Sequence, residues 1–184
     1  KKIRPADGAA YGACIARFDA VAKPVGSLGR LEELLARIAA VYGSADIDIR
    51  KKCVLVYCAD NGVVEENVTQ AGSDVTAIIA GMMAAKEASV CRMAEIAGAE
   101  VFPFDIGMFA EADGVPQIKT MRGTSNLAKT RAMTREAAAA AVNAGIDTVK
   151  ALKEKGFNLI AAGEMGIGNT TTAGALAAVF LGRG

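Results

Sequence analysis

Phe157-Asn158-Leu159-Ile160-Ala161-Ala162-Gly163-Glu164-Met165-Gly166-Ile167-Gly168-Asn169-Thr170-Thr171-Thr172 is the stretch on which the fold turns. Residues 157–162 form a short apolar run, the pattern of a strand buried in a parallel sheet. The Ala-rich run from Ala173 to Phe180 reads as a helix. Between them stand three glycines, one acid, one amide and three threonines. Strand, Gly-rich turn and helix start is a layout that presents unpaired backbone N–H groups to an anion. Gly166 and Gly168 let the backbone come close to a ligand. Asn169, Thr170, Thr171 or Thr172 is expected to cap the helix. Glu164 is a poor neighbour for a phosphate, so its carboxylate suits a developing cation or a proton. No Gly-Lys-Ser/Thr closes the turn, and its glycines do not fit G-x-G-x-x-G. A Gly-rich turn with a Thr cap is also a common plain connection in α/β proteins, so the pattern alone leaves both readings open.

Two further apolar runs precede this one. Lys51–Ala59 is apolar through its centre and ends at Asp60-Asn61-Gly62. Asp60 would serve a ribose or organise its loop, and Asn61-Gly62 is also a turn signal. Ala99–Gly107 carries Pro103, which predicts an edge strand or a bulge, and leaves through Asp105-Ile106-Gly107. Helices are expected from about Val75 to Ala97, stopped by Gly98, and from the N-cap Thr134 to about Lys155, stopped by Gly156. A polar loop is expected over 111–118. Three strands alternating with such helices spell a βαβ parallel sheet, a Rossmann-like three-layer αβα fold of class α/β. Right-handed crossovers would bring Asp60, Asp105 and Glu164 around one crevice. Ahead of this core, a helix over Pro5–Val21 with Asp7 as N-cap is followed by a loop over Lys23–Glu32. A second helix, bearing Leu31, Leu34, Leu35 and Ile38, has Ser27 as its possible cap. The expected division is a helical segment, 1–48, and a nucleotide-binding α/β core, 49–184.

Composition narrows the function. A hydrophobic fraction of 52% and a net charge of +1 over 184 residues exclude a disordered chain and give no polycationic case for nucleic acid. Aromatics at 5%, with no Trp, argue against a base-stacking platform. The absence of histidine excludes imidazole metal sites and Ser-His or Cys-His nucleophiles within the chain. Acid–base work falls to Glu, Asp, Lys or Tyr. Cys14, Cys53, Cys58 and Cys91 form no C-x-x-C pair and read as buried free thiols in a reducing, cytoplasmic compartment. Neither a membrane span nor a signal peptide is visible. No metal or cofactor is indicated.

Five blocks, in order, carry a resemblance: Lys23-Pro-x-Gly-Ser-Leu-Gly-Arg-Leu-Glu32, Ala59-Asp-Asn-Gly-Val-Val64, Arg122-Gly-Thr-x-Asn126, Ala132-Met-Thr-Arg-Glu136 and Gly163-Glu-Met-Gly-Ile-Gly-Asn-Thr-Thr171. On these the chain resembles the nicotinate-nucleotide:dimethylbenzimidazole phosphoribosyltransferases. The resemblance implies attack of a benzimidazole-type ring nitrogen on ribose C1′ of nicotinate mononucleotide. Nicotinate leaves, and an α-linked riboside phosphate forms for the lower ligand of cobamides. It implies Glu164 as the catalytic acid that meets positive charge at C1′ or positions a proton. The turn of Gly166, Ile167, Gly168, Asn169, Thr170 and Thr171 would hold the phosphate or the nicotinate carboxylate. Asp60, Asn61, Gly62, Thr69 and Asp105 complete the expected substrate contacts, and small residues and Met over Val68–Met83 would line a pocket for the flat base.

The chain departs from the family in two ways. Asn61 stands where Asp-His-Gly is commoner, and an amide keeps a hydrogen bond but cannot titrate. The family's proteins are longer, and the glutamate usually assigned as general base lies in their C-terminal half. Such a base typically contributes about 10²–10⁴-fold. Gly182-Arg183-Gly184 resembles the opening of a glycine-rich loop, so a C-terminal half of the same protein is an expected partner. The resemblance also implies a homodimer. Two other readings stand beside this one: a non-catalytic nucleotide-binding fragment, and a generic α/β kinase or transferase, against which the absent P-loop lysine counts.

Overall fold

The computed structural model describes residues 3–182. Arg183 and Gly184, read above as part of a glycine-rich loop, lie outside the described residues. The chain divides into two units, Lys1–Ile49 and Arg50–Gly184.

The first unit pairs α1 (Gly8–Asp19) with α2 (Arg30–Tyr42). Asp7 caps α1 as expected, accepting the N–H groups of Ala9 and Ala10. The helix stops at Asp19, so Val21 lies beyond it and is exposed. Cys14, Ala36 and Ala39 form a small core, joined by Ile15, Phe18 and Leu35. Leu31 and Leu34, expected on the apolar face, are each 50% exposed. Ser27 does not cap α2. That position is Gly29, which has no side chain to offer, and Ser27 N–H instead closes a turn onto Pro24 O. The Glu32 carboxylate reaches back to the preceding loop and accepts Leu28 N–H at 3.1 Å. It also binds Lys23 Nζ at 2.8 Å, which ties the two ends of the Lys23–Glu32 block together.

These partners, Lys23 first, hold the Glu32 carboxyl below the ordinary glutamate value. A lowered folded pKa stabilises fully above the unfolded value of about 4.3 and is lost as pH falls through the folded value. Acid titration followed by circular dichroism should therefore show the wild type losing stability below about pH 4 more steeply than Glu32→Gln. Equal slopes would remove Glu32 from the acid response.

In the second unit, β1 (Lys52–Ala59) is the central strand of a parallel sheet ordered β2-β1-β3. Its apolar centre is covered on both faces: Leu55 packs with Cys53, Leu152 and Phe157, and Val56 and Cys58 with Ala80, Met83 and Met108. A 3-10 helix over Gly62–Glu66 follows, where the sequence suggested a bare turn. The single helix expected over Val75–Ala97 is two helices, α3 (Asp74–Ala84) and α4 (Ser89–Ala97). The break comes at Lys86, whose φ of 64° is left-handed, and Glu87 and Ala88 both donate back to Met82 O. Periodicity does not register such a break, because Lys86, Glu87 and Ser89 read equally well as the polar face of one continuous helix.

β2 (Ala99–Gly107) is an edge strand, one of the two placements that Pro103 left open. Asp105 N–H points away from β1, to Pro116 O. By the two-residue repeat, the ring nitrogen of Pro103 faces the same open side, where no ladder bond is lost. Residues 108–134 form the long connection to α5 (Arg135–Glu154), with Thr134 as N-cap accepting Ala137 N–H. Gly156 then turns the chain into β3 (Leu159–Met165), which leads through the Gly166–Gly168 turn into α6 (Asn169–Leu181). The strand is longer than the apolar run indicated: Gly163, Glu164 and Met165 pair with Val56, Tyr57 and Cys58. No described helix is long and apolar enough to cross a membrane.

Candidate active site

All three strands run the same way, so their C-terminal ends share one edge of the sheet. Cys58 of β1 stands level with Asp105 of β2 and Met165 of β3. The three acids gather at this end, but they do not face a common crevice. Glu164 is exposed, whereas Asp60 and Asp105 are 1% and 0% exposed. Both bind the backbone of the β2 exit. Asp105 Oδ1 accepts Gly107 N–H at 3.0 Å and Met108 N–H at 2.8 Å, and Asp60 Oδ2 accepts Phe109 N–H at 2.6 Å. Of the two offices left open for Asp60, this contact serves the loop. Asp105 Oδ2 lies 2.9 Å from Lys119 Nζ, a buried ion pair at Coulomb distance but off the hydrogen-bond angle. Asp60 Oδ1 is buried with no hydrogen-bond partner among the described residues. Burial, reinforced by Asp105, Glu164 and Asp60, pushes the Cys58 thiol up to about 12, so it stays protonated and inert.

The turn between β3 and α6 is docked against the β1 exit. A Cβ on Gly166 would fall within 3.0 Å of Ala59 O and Asn61 Nδ2. Asn61 donates through Nδ2 to Ile167 O at 3.1 Å and accepts through Oδ1 from Thr172 Oγ1 at 2.8 Å. Both amide atoms are thus engaged in holding the turn. Ile167 N–H donates to Thr76 Oγ1 on α3. None of the four candidate caps acts on α6: its N-cap is Gly168, in the left-handed region at φ 83°. The side chains point elsewhere. Asn169 Nδ2 donates to Glu164 Oε1 at 2.6 Å, Thr170 Oγ1 to Asn169 Oδ1, and Thr172 to Asn61. Asn169 N–H is bonded to Gly166 O, and the N–H groups of Thr171 and Thr172 to Gly168 O. Among the described residues, the N–H groups of Gly168 and Thr170 donate to nothing. Ile167 N–H is therefore lost to an anion, and two donors beside the exposed Glu164 remain.

Gly62 shows why the next loop lies where it does. A Cβ there would sit within 3.0 Å of the backbone of Thr124, Ser125 and Asn126. Gly62 N–H donates to Thr124 Oγ1 at 3.0 Å. Asn126, 6% exposed, donates to Glu65 and Glu66, which Lys129 also bridges. Those donors, Asn126 first for Glu65 and Lys129 first for Glu66, hold both carboxyls below their ordinary value. Asn61, Ser73, Phe109, Thr124 and Asn126 help line a pocket of about 230 Å³. That is below the roughly 300 Å³ at which small-molecule pockets begin, too small to enclose a whole ligand. Thr69 Oγ1 accepts Ala71 N–H at 3.3 Å within its own loop. Within the segment Val68–Met83 expected to line a base pocket, Ala77, Ile78 and Gly81 border a cavity of about 500 Å³ with Ala84, Ala112 and Gly114, while Ala80 and Met83 pack into the core. Thr76, Thr124, Asn126 and Lys119 were not singled out as site residues. A lone hydroxyl on an otherwise apolar helix face was the available signal for Thr76.

A parallel α/β sheet with a Gly-rich turn, the free N–H groups of Gly168 and Thr170 and an exposed acid at its C-terminal edge places the chain in the class of open α/β folds, in which strand exits are the usual place for ligands. A family model described as a phosphoribosyltransferase matches residues 3–184, and the chain belongs to that family. Among curated relatives, the nicotinate-nucleotide–dimethylbenzimidazole phosphoribosyltransferase of Clostridium acetobutylicum is 42% identical over 168 residues, 90% of this chain and 48% of that protein. The protein of the same name from Geobacter metallireducens is 41% identical over 98% of this chain and 52% of its own length. A crystal structure from Thermus thermophilus, under the same enzyme name, superposes with a TM-score of 0.90 at 36% identity. It matches 96% of this chain and 55% of that one. The chain therefore spans about half the length of the relatives it matches.

Proposed function

We propose that this chain is the nucleotide-binding part of a phosphoribosyltransferase that moves ribose phosphate from nicotinate mononucleotide to 5,6-dimethylbenzimidazole or a similar flat base. The observation that carries the reading is the Gly166–Thr170 turn, with the unbonded N–H groups of Gly168 and Thr170 and with Glu164 held by Asn169 at its side. The N–H groups and the helix dipole favour the phosphate or the nicotinate carboxylate. Glu164 meets the positive charge that grows at C1′ as nicotinate departs and the base nitrogen attacks. Asp60 and Asp105 support this site through the loop they hold, and Thr69 takes no part in the reading.

The general base belongs to a C-terminal half of the same protein. What supports this is an apolar face left exposed among the described residues. β3 is an edge strand with Ala161 and Ala162 exposed, and α6 buries no residue. Leu176, Val179, Phe180 and Leu181 are 55–83% exposed along that helix. A homodimer and a reducing, cytoplasmic setting complete the reading, the latter in keeping with four buried free cysteines.

The test uses a protein that carries this chain together with its C-terminal half. Glu164→Gln should lower turnover, read as nicotinate released in the presence of dimethylbenzimidazole, by roughly 10²-fold. Calorimetric affinity for nicotinate mononucleotide should change by less than about threefold. An equal loss in both would assign Glu164 to ground-state binding and remove its proposed role.

A further inference from the structure

We propose that Thr76 is a positioning residue whose hydroxyl sets the orientation of the Gly166–Gly168 turn, and with it the two N–H groups that face the nucleotide. The nucleotide part of this rests on the function proposed above; the hydrogen-bonded latch does not. Thr76 is fully buried in α3, on a face otherwise made of Ala77, Ala80 and Met83. Its Oγ1 accepts Ile167 N–H at 3.1 Å, from 91 residues along the chain. Gly166 O, at the other end of the same peptide group, accepts Asn169 N–H at 3.0 Å. That peptide is therefore held at both ends. The next peptide is held by Asn61, which donates to Ile167 O at 3.1 Å. In a trans peptide the C=O and N–H point opposite ways. Fixing Ile167 O toward Asn61 therefore turns Gly168 N–H away from the β1 exit. Removing the Thr76 hydroxyl leaves Ile167 N–H without its partner and frees the first peptide to rotate. Asn169, whose side chain holds Glu164 and whose N–H closes the turn, moves with it.

The test compares the wild-type chain, Thr76→Val and Thr76→Ser by amide hydrogen exchange and by nicotinate mononucleotide titration, both read by NMR. In the wild type, Ile167 N–H should be protected although it lies in a turn, and in Thr76→Ser protection should persist. In Thr76→Val it should fall by at least about tenfold. Nucleotide affinity should drop roughly five- to tenfold in Thr76→Val and recover in Thr76→Ser. Rapid exchange of Ile167 N–H in the wild type would overturn the latch, and that result needs no variant to fold. Unchanged protection in Thr76→Val would overturn it equally. Lost protection with unchanged affinity would overturn the positioning role. A wild-type chain that binds no nucleotide would instead overturn the proposed function, and the exchange data would still decide the latch.

Discussion

Gly166→Ala should destabilise the chain by about 3 kcal/mol, the upper end of what overpacking costs. The added methyl would meet a backbone carbonyl, Ala59 O, on the central strand, and cannot push it aside as it would a flexible side chain. The clash can be relieved only by lifting the turn off β1. That movement breaks the bonds from Ile167 to Thr76 and Asn61, each worth about 1 kcal/mol. Gly174→Ala is the matched control. It lies inside α6, and a Cβ there meets nothing within 4 Å. It should raise stability by about 0.5–1 kcal/mol through helix propensity. Urea unfolding of both variants checks the pair. A loss below about 1 kcal/mol for Gly166→Ala would show that the turn is not docked against β1.

The second large effect is expected at Asp105. Asp105→Ala strips the acceptor from Gly107 and Met108 N–H and leaves Lys119 without its counter-charge. The two side chains are 1% and 16% exposed, so the remaining ammonium is poorly solvated. Breaking a buried pair from one side typically costs about 3–5 kcal/mol, more than the pair itself is worth. The double change Asp105→Ala with Lys119→Met should therefore be more stable than Asp105→Ala alone, measured by the same urea unfolding. If Lys119→Met recovers nothing, the loss belongs to the backbone acceptors and the ion pair carries no weight.

These two positions also show what the sequence could and could not reveal. The strands, their parallel order of use and the edge placement of β2 follow from apolar runs, helix-length spacers and one proline. The cap at Asp7 and the stops at Gly98 and Gly156 follow from local backbone chemistry, which is written in a few adjacent residues. Asp105 was picked out because acids at strand exits face ligands in many α/β sheets. A sequence does not say whether such an acid points outward or turns in to hold the next loop. That depends on where Met108, Phe109 and Lys119 lie in space. The same limit explains Thr76 and Asn61: their partner, Ile167, is 91 and 106 residues away. The helix cap failed for a related reason. Asn169 and Thr172 are good caps in isolation, but Thr172 is drawn to Asn61 from across the fold and Asn169 to Glu164 at the end of the preceding strand.

The central claim is that the Gly166–Thr170 turn holds the anionic part of nicotinate mononucleotide. The most direct measurement is a titration of the 15N-labelled chain with that nucleotide, up to roughly millimolar concentration. Saturable shifts are expected, centred on the Gly168 and Thr170 amides, with Ile167 N–H unmoved because Thr76 already holds it. Shifts confined to residues away from this turn, or none at all, would contradict it.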